Sequence, residues 1–270
     1  MFLLVVTSAA VAEDAREIVL KSSARDARDL ELRRNYTYVE HGESIRYNAK
    51  GERISTERKT RDVTMLYGRP YRRLIEVDGK PLSADQEAKE KAKMDREVAK
   101  RSRESAKEAE RERTADRKEM EEERSWRREV ADAFDFRMVG EEAVSGKAAW
   151  VLEATPKPGY RARSRRGGFL ARVRGKVWIS QQDYRWVKVD AEVIDTISFG
   201  WFLARLEKGT RMRFEAARVG DEIWMPAAAW FKGTARIGMV KALRVEETMR
   251  WDGYRKFQTE SRVVATGESK

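Results

Sequence analysis

Apolar residues recur at every second position between Gly175 and Trp251, with few interruptions. A period of two places these residues on one face of a pleated strand and leaves the other face polar. Glycine and aspartate stand between the runs, where antiparallel neighbours need turns. The pattern therefore predicts a large antiparallel sheet with one apolar face. Its apolar positions include Val187, Val189, Ala191, Val193, Met212, Phe214, Ala216, Ile223, Met225, Ala227, Ala229 and Phe231.

The chain before this region adds one helix and further strands. Glu13–Arg34 is predicted to be a helix with one buried face, formed by Ala15, Ile18, Val19 and Ser22. Strand-type residues follow over residues 36–77, and a predicted hairpin pairs Phe134–Met138 with Ala149–Ala154. A last strand is predicted over Tyr254–Val264.

Residues 83–131 are unlike the strands around them. Ser83 and Gln86 have the spacing of a capping box, which marks the start of a helix. From there to about Val130 there is no glycine or proline, and acidic and basic residues recur at spacings of three and four. Each such pair stabilises an exposed helix by roughly 0.2–0.5 kcal/mol. We expect a charged helical insertion, either a spacer or contact arm or a solvated and partly disordered segment.

The composition excludes several kinds of site. The 270 residues contain no cysteine and one histidine, His41, so thiolate and histidine-rich metal sites are ruled out. The chain has no glycine-rich phosphate loop and no Gly-x-Ser-x-Gly motif. His41 is the one candidate general base, and a single histidine is more often structural than catalytic. The sequence therefore predicts no enzyme, no cofactor and no metal site.

The net charge of +11 is concentrated in one loop, because the charged insertion nearly cancels itself. Lys157–Lys176 holds eight basic residues and no acidic one, which favours anionic partners. Tyr160 and Phe169 alone are interleaved with these residues, too few aromatic side chains for nucleic-acid binding. The alternative to a functional contact is a solvated basic loop. The residues expected to contact an anionic headgroup or a partner are Arg161, Arg163, Arg165 and Arg166.

The first twelve residues have the features of a signal peptide. Residues 2–6 are an apolar run, and Ala10-Val11-Ala12 has the small-x-small form of a cleavage site. The run is too short to span a bilayer. We expect export to the bacterial periplasm and a soluble mature chain that begins at Glu13, the alternative being an N-terminus that is packed or disordered.

Aromatic residues crowd the segment around Gly200 and also lie between the aliphatic positions of the strands. A sheet that is apolar on one face and aromatic on parts of the other needs cover from helices or a ligand. The alternative is that the first helix and residues 197–206 cover the sheet completely and leave a packed core. The candidate lining of an apolar cavity is Phe199, Trp201, Phe202, Met212, Phe214, Ile223 and Met225.

Four strand motifs resemble those of the LolA/LolB-like family of outer-membrane lipoprotein-sorting proteins. Gly175–Ser180 is a tryptophan-bearing strand, and Tyr184–Val189 has the family's tyrosine followed by lysine-valine. Glu222–Pro226 matches an acidic-x-tryptophan-x-proline strand, and Tyr254–Thr259 resembles the closing strand. The resemblance runs over residues 36–264 and is interrupted by the charged insertion.

The resemblance implies an α+β fold in which a curved antiparallel sheet forms an incomplete, half-open β-barrel covered by helices. It implies one such domain over residues 13–270, after a signal peptide at 1–12 and interrupted by the insertion at 83–131. The best-known family members carry lipoprotein acyl chains across the periplasm. The expected function is to bind or carry acyl chains or another apolar lipid-like ligand in the cell envelope.

The expected partners follow from the same resemblance. They are a lipid or lipidated protein, envelope proteins and a transient membrane surface, without nucleic acid. The alternative function is that of a non-enzymatic envelope interaction or sensor protein that acts through the charged helix and the basic loop.

Overall fold

The computed structural model describes residues 14–33, 35–164, 167–199, 204–220, 222–237 and 241–256. The helices are α1 (Ala15–Arg33), α2 (Ala84–Ser102) and α3 (Ala106–Ala133), with a short 3-10 helix at Gly167–Arg172. The strands are β1 (Tyr36–Tyr47), β2 (Arg53–Leu66), β3 (Arg69–Val77), β4 (Lys80–Pro81), β5 (Phe134–Val144), β6 (Lys147–Pro156), β7 (Val173–Ser180), β8 (Trp186–Val193), β9 (Ile197–Phe199), β10 (Ala204–Leu206), β11 (Arg211–Val219), β12 (Ile223–Ile237) and β13 (Lys241–Lys256).

These thirteen strands form a single antiparallel sheet in the order β4-β3-β2-β1-β13-β12-β11-β8-β7-β6-β5, with β10 on β12 and β9 on β10. Within the described residues the sheet stays open, because β4 and β5 are edge strands that do not pair with each other. The predicted α+β class and the half-open antiparallel sheet are confirmed. The closing strand is β13, which begins earlier than the predicted 254–264; residues 257–264 lie outside the described residues.

The register aligns the predicted apolar positions into rows across the sheet. Val177 lies opposite Val189, which lies opposite Phe214, and Phe214 lies opposite Ala229. Residues directly opposite each other in antiparallel strands point to the same face. The period of two therefore predicts the shared face of these four residues. Val187 and Ala216, predicted on the same face, pack instead with Trp178 and Trp224, and Val187 is the extra residue at a register shift between β7 and β8.

A β-bulge interrupts this alignment in β12. Glu215 pairs with Ala228 whereas Ala216 pairs with Pro226, so Ala227 is the extra residue. A bulge shifts the side-chain alternation of its strand by one position. Ile223 and Met225, which precede the bulge, therefore no longer share the face of Phe214. They pack with Tyr36 instead.

Helix α1 lies against the sheet with the face that the sequence predicts. Ala15, Ile18, Val19 and Ser22 are all buried, with exposures of 7% or less. Ile18 and Val19 belong to an apolar cluster with residues of α3, β6 and β7. The predicted packing face of the first helix is confirmed.

The charged segment forms two helices, not one. Each begins with a complete capping box, Ser83 with Gln86 and Ser105 with Glu108. At the end of α2, Arg101 donates hydrogen bonds to the carbonyl oxygens of Leu66 (2.8 Å) and Arg69 (3.1 Å), which ties the junction to the β2–β3 turn.

The last turns of α3 differ from the expectation of a solvated insertion. Val130, Ala131 and Ala133 are buried, with exposures of 6% or less. They belong to the apolar clusters that cover β5–β8, and Trp126 packs against them. Helix α3 therefore begins as an exposed helix and ends as part of the core.

Gly175 on β7 offers a test of the sheet's central packing. A Cβ atom at this position would lie 2.1 Å from the carbonyl oxygen of Asp190, whereas a Cβ atom at Gly168 would meet nothing within 4 Å. We expect Gly175→Ala to lower the free energy of unfolding by roughly 1–3 kcal/mol. We expect the control Gly168→Ala to change it by less than about 0.5 kcal/mol. Urea unfolding measures both, and equal values for the two variants would contradict this packing.

Candidate functional site

A cavity of about 360 Å³ lies between the helices and the apolar face of the sheet. Trp126 and Val130 of α3 form one part of its roof, and Phe169 and Leu170 of the 3-10 helix form another. Residues of β5–β8 and β11 form the floor, and Ser23 and Arg33 of α1 line one side. Most of the lining is aliphatic or aromatic, so the space suits an apolar ligand. We call this space the apolar cavity.

The cavity floor follows from one cross-strand row of small residues. Ala154 of β6 lies opposite Gly175 of β7, and Gly175 lies opposite Ala191 of β8. The row is bounded by Phe136 on β5 and Met212 on β11. Because the three central residues carry a methyl group or no side chain, they leave a hollow between larger neighbours. We call Ala154, Gly175 and Ala191 the small-residue row.

Charged residues border the apolar cavity on the strand side. Arg213 forms an ion pair with Asp190 (Nε–Oδ2 2.9 Å), and Arg174 pairs with Glu192 (Nη2–Oε2 3.4 Å). Lys176 also borders the cavity and has no ion pair within the part of the chain that the structure describes. These residues alternate along β7, β8 and β11 with the apolar residues of the cavity floor, so their side chains extend to the opposite face of the sheet.

A buried carboxylate fixes the basic loop beside the roof. Glu129 of α3 is 4% exposed and accepts hydrogen bonds from the Tyr160 hydroxyl, the Ser164 hydroxyl and the Arg163 amide. Burial alone would raise the pKa of Glu129, but these hydrogen bonds outweigh it and hold the pKa below its ordinary value. A Cβ atom at Gly167 would collide with this carboxylate, so a larger residue there would displace it from these hydrogen bonds.

The structure brings together two of the seven predicted cavity residues. Met212 and Phe214 line the apolar cavity, whereas Ile223 and Met225 lie in the cluster around Tyr36. The reason is the bulge at Ala227, which separates the two halves of β12. Phe199 ends strand β9. The remaining two, Trp201 and Phe202, lie outside the described residues.

The predicted headgroup residues lie on the loop that Glu129 anchors. Arg161 and Arg163 are exposed, and Arg163 pairs with Asp132 (Nη1–Oδ2 3.1 Å). Arg165 and Arg166 lie outside the described residues.

The roof of the apolar cavity is not among the residues that the sequence predicts. Trp126 and Val130 stand four residues apart, the spacing of one helix face, within a segment whose charge favours a solvated helix. Phe169 and Leu170 are an apolar pair inside a loop whose arginines favour exposure. These two local apolar pairs were the available signals.

His41 lies in the middle of β1, where Asp252 and Thr60 flank it. Its Nε2 atom is 3.2 Å from Asp252 Oδ2, and its Nδ1 atom is 3.4 Å from the Thr60 hydroxyl. His41 does not line the apolar cavity.

In the described ranges no group of three or more metal-ligating side chains stands in a position to hold a metal ion. None of the helices described has the length and apolarity that crossing a bilayer requires.

No protein-family model and no curated protein matches this chain. A domain from Vibrio parahaemolyticus, assigned to outer membrane lipoprotein sorting, is 14% identical with a TM-score of 0.37, over 93% of this chain and 96% of that one. A LolA superfamily protein from Nitrosomonas europaea is 11% identical with a TM-score of 0.30, over 92% and 94%. The Pseudomonas aeruginosa MucA/MucB complex is 12% identical with a TM-score of 0.24, over 91% and 100%.

The names of the first two structures are those of the LolA/LolB-like family that the strand motifs resemble. At these identities and TM-scores no residue role passes from them to this chain.

Replacing Glu129 tests how the basic loop is held beside the cavity. We expect Glu129→Gln to lower the free energy of unfolding by roughly 1–3 kcal/mol at pH 7, because an amide cannot accept every hydrogen bond that the carboxylate accepts. The folded-state pKa is lowered, so the contribution is present above the ordinary value of 4.5 and is lost as the pH falls through the folded-state pKa. Urea unfolding at pH 7 and pH 4 measures the difference.

The control is Glu122→Gln, which changes the same charge at an exposed position of α3. We expect it to be nearly neutral at both pH values. A Glu129→Gln effect no larger than that of Glu122→Gln would show that the carboxylate does not hold the loop.

Proposed function

We propose that this protein binds an acyl chain or another apolar lipid-like ligand in the apolar cavity. The observation that carries the proposal is the hollow above the small-residue row, roofed by the end of α3 and the 3-10 helix. Its volume of about 360 Å³ lies within the range of small-molecule sites. An apolar cavity binds its ligand without specific polar contacts, so the affinity comes from burial of the ligand's apolar surface.

The energy of burial is sufficient for useful affinity. Each methylene removed from water contributes about 0.8 kcal/mol, so ten methylenes contribute roughly 8 kcal/mol before the cost of association.

We further propose that binding takes place in the bacterial periplasm and serves carriage of a lipid or lipidated protein. This part rests on the signal-peptide features of residues 1–12 and on the resemblance of the strand motifs to lipoprotein-sorting proteins. Residues 1–12 lie outside the described residues. Transient contact with a membrane surface would supply and remove the ligand.

Filling the cavity tests the binding site. We expect Ala191→Phe to reduce uptake of a fluorescent fatty acid at least about tenfold, because a benzyl group from the middle of the small-residue row occupies the hollow. The titration follows the fluorescence of the ligand.

The matched control is Ala148→Phe, the same substitution at an exposed position of β6. It should bind the fatty acid as the original protein does. Circular dichroism and thermal unfolding establish that both variants are folded. Equal uptake by folded Ala191→Phe and by the control would refute the apolar cavity as the binding site.

A second function is favoured by the exposed part of α3. Side chains such as Lys107, Arg111 and Lys118 are exposed along this helix before it joins the core. We propose as the alternative that this face contacts an envelope protein. Reversing these three charges to glutamate should abolish capture of that partner while leaving fatty-acid uptake unchanged. Capture of the partner by the charge-reversed variant at the level of the original protein would refute this alternative.

A further inference from the structure

A second concave site, separate from the apolar cavity, lies between α2 and strands β2 and β3. This groove has a volume of about 610 Å³. Its lining contains six basic residues against two carboxylates, together with Tyr71 and Leu74. We call it the cationic groove. Its basic residues are Lys59, Arg61, Arg72, Lys93, Arg96 and Lys100, and its carboxylates are Glu90 and Glu97.

The two walls of the groove present the same sign of charge to each other. Arg61 lies opposite Leu74 in the β2–β3 pair, and Arg72 lies opposite Val63, so both arginines share one face of the sheet. Helix α2 supplies Lys93 and two further cations from the opposite wall. Like charges that face each other across a groove repel, and a bound anion removes that cost.

The sheet side of the groove is held by a buried carboxylate. Glu40 is 6% exposed and pairs with Arg61 (Nη1–Oε1 3.1 Å) and with Arg72 (Nε–Oε2 3.7 Å). It also accepts a hydrogen bond from Trp251 Nε1 at 3.4 Å. One carboxylate thus positions two guanidinium groups and neutralises one of their two charges.

The helix side has two cations, Arg96 and Lys100, that form no ion pair within the described residues. Glu90 pairs with Lys93, and Glu97 is engaged by Arg101 (Oε1–Nε 2.6 Å), which does not line the groove. Across the described part of the chain, Arg96 and Lys100 have neither an ion pair nor a hydrogen bond from their side chains. The groove therefore keeps a positive excess that the protein itself does not neutralise.

We propose that the cationic groove binds a ligand that carries phosphate groups. Arginine binds phosphate oxygens in a bidentate manner, and lysine adds point charge. The volume lies in the range of small-molecule sites and leaves room for a body larger than a single inorganic phosphate. Tyr71 and Leu74 provide contact for that body. This site is separate from the apolar cavity, and its ligand is independent of acyl-chain binding.

The phosphate groups come either from a soluble compound or from a phospholipid surface. Two probes distinguish these sources: pyrophosphate, followed by calorimetry at low salt, and vesicles of phosphatidylglycerol, followed by sedimentation against phosphatidylcholine vesicles. Binding of pyrophosphate identifies a soluble phosphate ligand. Binding of phosphatidylglycerol vesicles alone identifies a headgroup. Binding of neither probe overturns the proposal.

The test variant is the double substitution Arg96→Ala with Lys100→Ala, which removes two exposed cations of α2 that form no ion pair in the described structure. The control is Lys107→Ala with Arg111→Ala, which removes the same charge from exposed positions of α3. We expect the dissociation constant of whichever probe binds to rise at least about tenfold in the test variant and less than twofold in the control.

Equal weakening in the two variants would show that net charge, and not the groove, attracts the probe, and would overturn the proposal. Fatty-acid uptake by the test variant should match the original protein. This readout separates failure of the groove from failure of the apolar cavity.

Discussion

The close approach of β7 and β8 at Gly175 is the constraint on which the site depends. Asp190 places its carbonyl oxygen where a side chain of residue 175 would begin, so the two backbones meet without anything between them. Ala154 and Ala191 continue this thin strip on both sides. Beside this strip, Val173 and Val193 pack with Val130 and Leu170 of the roof. The cavity thus results from the strand register, which aligns three small residues between larger ones across the sheet.

Much of this architecture is predictable from local pattern. The period of two in β8, β11 and β12 predicted rows that the register confirms, such as Val189 beside Phe214 and Ala229. The face of α1 was predictable for the same reason, since Ile18 and Val19 recur at helical spacing and are completely buried. The spacing of apolar residues predicts which side chains are buried, because the backbone conformation of a strand or helix sets the direction of each side chain.

The site required information that periodicity does not contain. The small-residue row joins residues far apart in sequence, and its existence depends on register. The bulge at Ala227 shifted the alternation of β12, so Ile223 and Met225 left the row of Phe214 for the cluster around Tyr36. The end of α3 was obscured by charge: Trp126 and Val130 roof the cavity, although the residues around them suit a solvated helix. Tertiary contacts, and not local propensity, decide these three features.

Native mass spectrometry of the full chain purified from a bacterial periplasm, with organic extraction of co-bound molecules, tests the central claim most directly. We expect a population with additional mass that extracts as a lipid or a lipidated peptide, and loss of that population in the variant Ala191→Phe. A protein that stays at its own mass after incubation with phospholipids and fatty acids, while still folded, would contradict the account and leave the cavity as a packing feature.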